Sequence, residues 1–149
     1  MEIRPAMCSD LEAVKHLLEA AGLPTADLDE RLIARFLVAA REGRVLGAVA
    51  CEPAGANCGL LRSLVVAPDC QGRGLGEHLV AEIEAVARSQ GAQTLYLLTE
   101  TAQGFFDRMG YVVTDRQQAP AEIRATSEFA RLCPAGAVCL RKDLSLGIQ

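Results

Sequence analysis

Three glycines alternate with larger residues in Gln71-Gly72-Arg73-Gly74-Leu75-Gly76. Without Cβ atoms they let backbone amides converge. A helix beginning inside the run adds the unpaired N–H groups and positive dipole end of its first turn. Amides gathered in this way seat a phosphate or diphosphate, and Arg73 can add a charge-assisted bond to a phosphate oxygen. The spacing is not the dinucleotide fingerprint G-x-G-x-x-G, and no Gly-Lys-Ser/Thr follows as a P-loop requires. The plainer reading is that the glycines let the helix pack tightly on a sheet. That suits Gly76 well; for the whole hexapeptide, phosphate binding is the stronger reading.

Other residue types capable of chemistry are scattered. Arg62 interrupts the apolar stretch Leu60-Leu61-Arg62-Ser63-Leu64-Val65-Val66. An arginine in a central strand needs a partner, either an anionic substrate group gripped by two hydrogen bonds or a structural acid. Strand alternation puts its side chain on the side of Leu64 and Val66. Six cysteines, at 8, 51, 58, 70, 133 and 139, form no C-x-x-C, and His16 and His78 complete no zinc pattern. Cys8, Cys51, Cys58 and Cys70 read as small buried apolar groups. Cys133 and Cys139 either flank a functional loop or bind a soft ion. No resident metal is expected.

The elements that must position these groups follow from periodicity and punctuation. A strand over 2–6 leads to Ser9-Asp10-Leu11-Glu12, which reads as a capping box. The helix after it carries Leu11, Val14, Leu17, Leu18 and Ala21 on one face and stops at Gly22. A second helix is expected over 25–35. The apolar runs 36–40 and 45–51, joined by Arg41-Glu42-Gly43-Arg44, form a hairpin signal. Residues 60–67 read as a central strand, 74–90 as a long helix ended by Gly91, and 94–99 as a strand. A short helix over 102–109, capped by Gly110, precedes a strand over 111–115. A helix over 120–132 and a last strand over 137–144 complete the chain. The expected fold is a mixed α/β sheet of about seven strands with helices on both faces, built as one domain over 1–149.

Composition narrows the partners. The 149 residues are half apolar and 23% charged, with 15 basic against 19 acidic side chains. That balance argues against a nucleic-acid partner. No apolar run approaches the ~20 residues that span a bilayer, and residues 1–10 lack the features of a signal peptide, so no membrane partner is expected and the cytosol is the expected location.

The segment Leu64-Val65-Val66-Ala67-Pro68-Asp69-Cys70-Gln71-Gly72-Arg73-Gly74-Leu75-Gly76 resembles the GNAT superfamily of acyl-CoA-dependent N-acetyltransferases, whose signature reads [Arg/Gln]-x-x-Gly-x-[Gly/Ala] after a strand of the form L-x-V-x-P. A second motif of the superfamily is similar to Phe105-Phe106-Asp107-Arg108-Met109-Gly110-Tyr111. The resemblance implies acetyl-CoA as cosubstrate, its diphosphate on the amides of Gln71, Gly72, Arg73, Gly74, Leu75 and Gly76. It implies a pantetheine arm along Leu64, Val65 and Val66, and an amide near Leu64 that holds the acetyl oxygen. A thioester reached between two splayed strands is then attacked directly by a neutral amine of a small molecule. Thr99 stands where relatives often have Asn, and Phe105 and Phe106 either pack on the cosubstrate or serve the core. Phe106 replaces the tyrosine that many relatives use as acid, and Leu60 and Leu61 stand where relatives often carry a carboxylate.

Glu100 is then the candidate base, at the carboxyl end of a strand where ligands approach open sheets. The plainer reading makes it an acid favoured by the dipole of the next helix. Glu52 and Glu128 are weaker candidates: the plainer reading has Glu52 facing water and Glu128 on a solvated helix face. Residues 116–137 could form a lid over the acceptor site. Ala119-Pro120-Ala121-Glu122-Ile123, Thr126-Ser127-Glu128-Phe129 and Leu132-Cys133-Pro134 are similar to the branch associated with arsenic resistance, which implies an amino-acid-like arsenical as acceptor, with Arg62, Arg124 and Glu128 as candidate substrate contacts. A homodimer is one assembly the resemblance allows. The alternatives are a non-catalytic CoA-binding module and a cysteine-based As(III)-binding protein.

Overall fold

A computed structural model describes residues 1–144. Its seven strands hydrogen-bond in the order β1-β2-β3-β4-β5-β7-β6. They are β1 (Glu2–Pro5), β2 (Phe36–Arg41), β3 (Arg44–Ala54), β4 (Cys58–Val66), β5 (Thr94–Thr99), β6 (Val112–Val113) and β7 (Val138–Asp143). β4 and β5 run parallel, while β1 with β2, β2 with β3, β5 with β7, and β6 with β7 run antiparallel, so the sheet is mixed as expected. The helices are α1 (Leu11–Ala20), α2 (Glu30–Ile33), α3 (Leu75–Ser89), α4 (Gln103–Arg108) and α5 (Ala121–Arg124).

Two compact units divide the chain, one of residues 1–51 and 62–85, the other of 52–61 and 86 onward. In the first, Val14 and Leu18 of α1 and Leu32 and Ile33 of α2 pack with Phe36 and Val38 of β2, Ala48 and Ala50 of β3 and Val65 of β4. The β2–β3 hairpin closes through Glu42 (φ 51) and Gly43 (φ 79), the left-handed pair that matches the twist of the flanking strands. In the second, Leu60, Tyr96, Ile123, Phe129 and Cys139 share a cluster with Ala54 and Ala119.

Gly22, Gly91 and Gly110 end α1, α3 and α4 as the sequence indicated. Each is followed by an amide bonded back to the last turn: Leu23 to Leu18 at 2.9 Å, Ala92 to Ala87 at 3.0 Å and Tyr111 to Phe106 at 3.0 Å.

Several local expectations are corrected. The box Ser9 to Glu12 does not form. Asp10 accepts instead from the Met7 amide at 2.7 Å and from Arg4 at 2.8 and 3.1 Å, and this bonding holds its carboxyl below the ordinary range. The helix expected over 25–35 shrinks to α2 because Asp29, extended at φ −149, caps the Leu32 amide at 2.8 Å. The helix expected over 120–132 breaks after α5. The Thr126 hydroxyl donates to the Ile123 carbonyl at 2.7 Å, competing with the helix ladder, and residues Glu128–Leu132 wind as a π-type turn. The strand expected over 111–115 is reduced to the two residues of β6.

Candidate active site

The glycine run joins the end of β4 to the start of α3, and the run itself lies within the first unit. Gly72 (φ 79) and Gly74 (φ 82) are left-handed, and a Cβ added at either would enter open space. Their lack of a side chain therefore serves backbone conformation, not packing. Gly76 lies in the first turn of α3, whose leading amides have no carbonyl within the helix to bond. Gln71, Gly72, Arg73 and Gly74 are exposed, and Leu75 is buried. The Gln71 side-chain amide donates to the Val66 carbonyl at 3.1 Å, holding the loop against the strand it leaves.

A second clamp stands at the loop entrance. Arg44, just past the hairpin turn, grips Asp69 through two bonds of 2.9 Å. The guanidinium brings the Asp69 carboxyl down to about 2. Beside the loop opens a cavity of about 200 Å³, with Arg41, Arg73 and His78 over apolar Leu46 and Leu75.

β4 carries the expected pantetheine strip Leu64, Val65 and Val66. Ser63, directly before Leu64, is left-handed at φ 60. For a non-glycine residue that conformation costs on the order of 1–2 kcal/mol, and inside a strand it re-aims the backbone groups beside it. It also corrects the expectation from alternation, since sidedness cannot be counted from Arg62 across Ser63 to Leu64. Arg62 is buried, and its guanidinium binds Asp27 at 2.6 and 2.9 Å while Nε donates to the Ser63 hydroxyl at 3.1 Å. Neither Ser63 nor Asp27 stood out in the sequence. Pro24-Thr25-Ala26-Asp27 is turn chemistry, and weighing it above helical spacing would have freed Asp27 from the expected helix.

In the second unit, Thr99 ends β5 and its hydroxyl accepts from the Ala102 amide at 3.0 Å, the service of a helix cap. Glu100 follows, exposed. Phe106 is buried with its ring edge-on to Tyr111 at 5.4 Å, and half-buried Phe105 lies edge-on to Phe106 at 5.0 Å. Arg124 is exposed and turns back on its own segment, Nε to the Ala119 carbonyl at 2.9 Å. Glu128 corrects an expectation: it is buried instead of solvated, and the Cys133 thiol donates to its Oε1 at 3.1 Å. Arg116 braces this turn through the Phe129 and Pro134 carbonyls at 2.7 and 2.8 Å.

Of the four cysteines expected to be buried, Cys51 is and Cys8, Cys58 and Cys70 are not. Cys51 and Cys139 are buried, Cys58, Cys70 and Cys133 half-buried, and Cys8 exposed, because Cys8 sits in the turn before α1 instead of under it. Burial pushes the Cys139 thiol up to about 11, with Arg116 pulling partly back. Among the described residues no three His, Cys, Asp or Glu side chains gather as a metal site.

The pattern of the acetyltransferase (GNAT) family matches residues 7–111. An amino-acid acetyltransferase of Ralstonia nicotianae is 35% identical over 136 residues, 87% of this chain and 30% of its own. An uncharacterized N-acetyltransferase of Chlorobaculum tepidum is 30% identical over 127 residues, 81% of each chain. The N-acetylglutamate synthase of Neisseria gonorrhoeae, solved with coenzyme A and N-acetyl-glutamate, matches at a TM-score of 0.84 with 26% identity, over 96% of this chain and 35% of that one. The chain spans less than a third of the length of the amino-acid acetyltransferases it matches. By its glycine loop, its strand order and these matches, the chain belongs to the GNAT acetyltransferase family.

Proposed function

We propose that the chain transfers an acetyl group from acetyl-CoA to the amine of a small, amino-acid-like molecule. The observation that carries this reading is the pair of left-handed glycines, Gly72 and Gly74, facing open space between β4 and α3. Amides of such a loop and of a helix start fit a diphosphate. The coenzyme A in the Neisseria synthase and the names of the amino-acid acetyltransferases point the same way.

Acetyl-CoA, when bound, supplies the thioester that the amine attacks. Gln71 to Gly76 hold the diphosphate, with Arg73 adding charge. The backbone of Leu64, Val65 and Val66 aligns the pantetheine arm, and an amide beside the left-handed Ser63, at Leu64, takes up charge developing on the acetyl oxygen. Glu100 receives the amine proton. Phe106 offers no proton, so the thiolate leaves without an acid from that position. Thr99, Phe105 and Phe106 are the candidate contacts to the cosubstrate, and Arg62, Arg124 and Glu128 are the candidate contacts to the acceptor.

The segment that resembles the arsenic-resistance branch adds an amino-acid-like arsenical to the acceptors worth testing. The reading treats the chain as one catalytic domain acting in the cytosol. No helix among the described residues is long and apolar enough to cross a membrane. Sedimentation would show whether a homodimer forms.

The test is thiol release from acetyl-CoA over a panel of amino acids, the arsenical included, beside calorimetry with acetyl-CoA alone. Binding with release is the expected result. Binding without release from any acceptor would favour a CoA-binding module, and absence of binding would end the assignment.

A further inference from the structure

We propose that Asp27 is an internal stand-in for the acceptor's carboxylate, occupying Arg62 until an amino-acid-like substrate displaces it. This rests on the acetyl-transfer reading and names the acceptor class, an amine carrying a carboxylate.

Arg62 is a guanidinium built into a central strand, its side chain 1% exposed, and Asp27 meets it in the two-pronged geometry that any carboxylate would adopt. Taking a carboxylate away from a buried arginine is destabilising, so the exchange is favoured when another carboxylate takes its place. A substrate carboxylate fills it with the same bonds, which makes the exchange one of like for like. Asp27 is the member of the pair that reaches solvent, with 20% of its side chain exposed.

The chain around Asp27 is arranged for local movement. Ala26 and Asp27 form the tip of a turn closed by the Leu28 amide on the Thr25 carbonyl at 3.0 Å. Leu23 and Leu28 on either side are packed against the core, and Asp29 is committed to capping α2. The flanks are held and the tip carries the carboxylate. Arg62 and Leu64 stand on the same strand with the left-handed Ser63 between them. An amino acid held on Arg62 by its carboxylate would thus sit beside the stretch of backbone that carries the proposed oxyanion amide.

The test is calorimetry of wild type, Asp27→Asn and Asp27→Ser, with and without CoA. The probes are L-glutamate, L-methionine and 3-(methylthio)propylamine, the last being methionine without its carboxylate. Removing the internal carboxylate is expected to tighten both amino acids at least fivefold and to leave the simple amine unchanged. Melting temperatures supply a second readout: both variants melt below wild type and are raised more than wild type by L-glutamate. Amino acids and amine weakened alike, or no amino acid bound by any of the three proteins, would overturn the proposal. CoA heat in the same experiments reports separately on the acetyl-transfer reading. CoA binding by variants indifferent to carboxylates sinks the stand-in alone.

Discussion

The side-chain amide of Gln71 reaches back 3.1 Å to the carbonyl of Val66, so the first residue of the glycine loop is bonded to the last residue of β4. The bond is exposed, so water replaces it readily and its contribution is about 0.5 kcal/mol. Gln71→Ala is expected to weaken acetyl-CoA binding about two- to threefold by calorimetry, with little change in melting temperature. Gly74→Ala acts differently. It forces a Cβ into a left-handed residue at a cost of roughly 1 kcal/mol, and should lower the melting point by a few degrees as well as weaken the cosubstrate.

Gly47 of β3 is demanded by packing. A Cβ there would lie 2.9 Å from the Val65 carbonyl oxygen and 3.0 Å from Leu79 Cδ1 of α3. The backbone oxygen cannot rotate away as a side chain can. Gly47→Ala should destabilise by about 2 kcal/mol, lowering the melting temperature by roughly 4–8 °C. An unchanged melt would show that β3 and β4 part without strain.

Glu100 can be separated from a mere helix-end acid by kinetics. As the base, Glu100→Gln should lower kcat by about a hundredfold near neutral pH and leave acetyl-CoA affinity intact. A small drop in melting temperature with unchanged kcat would leave the proton to water.

The Arg44–Asp69 clamp sets a pH dependence. Asp69 titrates near 2 in the folded chain against an ordinary 3.8, because Arg44 bonds its charged form. A depressed folded value means the contribution is present above the unfolded value and is lost as pH falls from about 4 through about 2. An NMR titration of the carboxyl should show a midpoint near 2, returning toward 4 in Arg44→Gln.

Cys139 should resist labelling. A thiol pushed up to about 11 and buried presents about a thousandth of its population as thiolate at pH 8. Mass spectrometry after brief alkylation should find Cys8 modified and Cys139 intact. Rapid modification of Cys139 in the folded chain would revive the soft-ion reading, which the described residues otherwise supply with no three-ligand cluster.

Much of the architecture was legible because it is written in local chemistry. The apolar runs of β2 and β3, the Glu42-Gly43 turn, the α3 periodicity and the glycines ending three helices act within a few residues, so their spacing alone carries the signal. The glycine loop was legible for the same reason: the left-handed conformation of Gly72 and Gly74 favours glycine where it occurs. What was misread depended on competition. Asp29 offered a cap that starts α2 later than the periodicity indicates, Thr126 a bond that interrupts the helix after α5, and Asp10 preferred Arg4 and Met7 to the cap expected at Ser9.

By itself, then, the sequence determined the order of elements, the family and the loop, because backbone conformation and apolar periodicity are local properties. Only the tertiary structure decided who partners whom: Asp27 with Arg62 across 35 positions, Arg44 with Asp69 across 25, and Glu128 buried against Cys133. Nothing in an arginine's own neighbourhood says which of nineteen acids will answer it. That choice is made by long-range packing, which brings distant charges together and, at Arg62, takes most of the pair out of water.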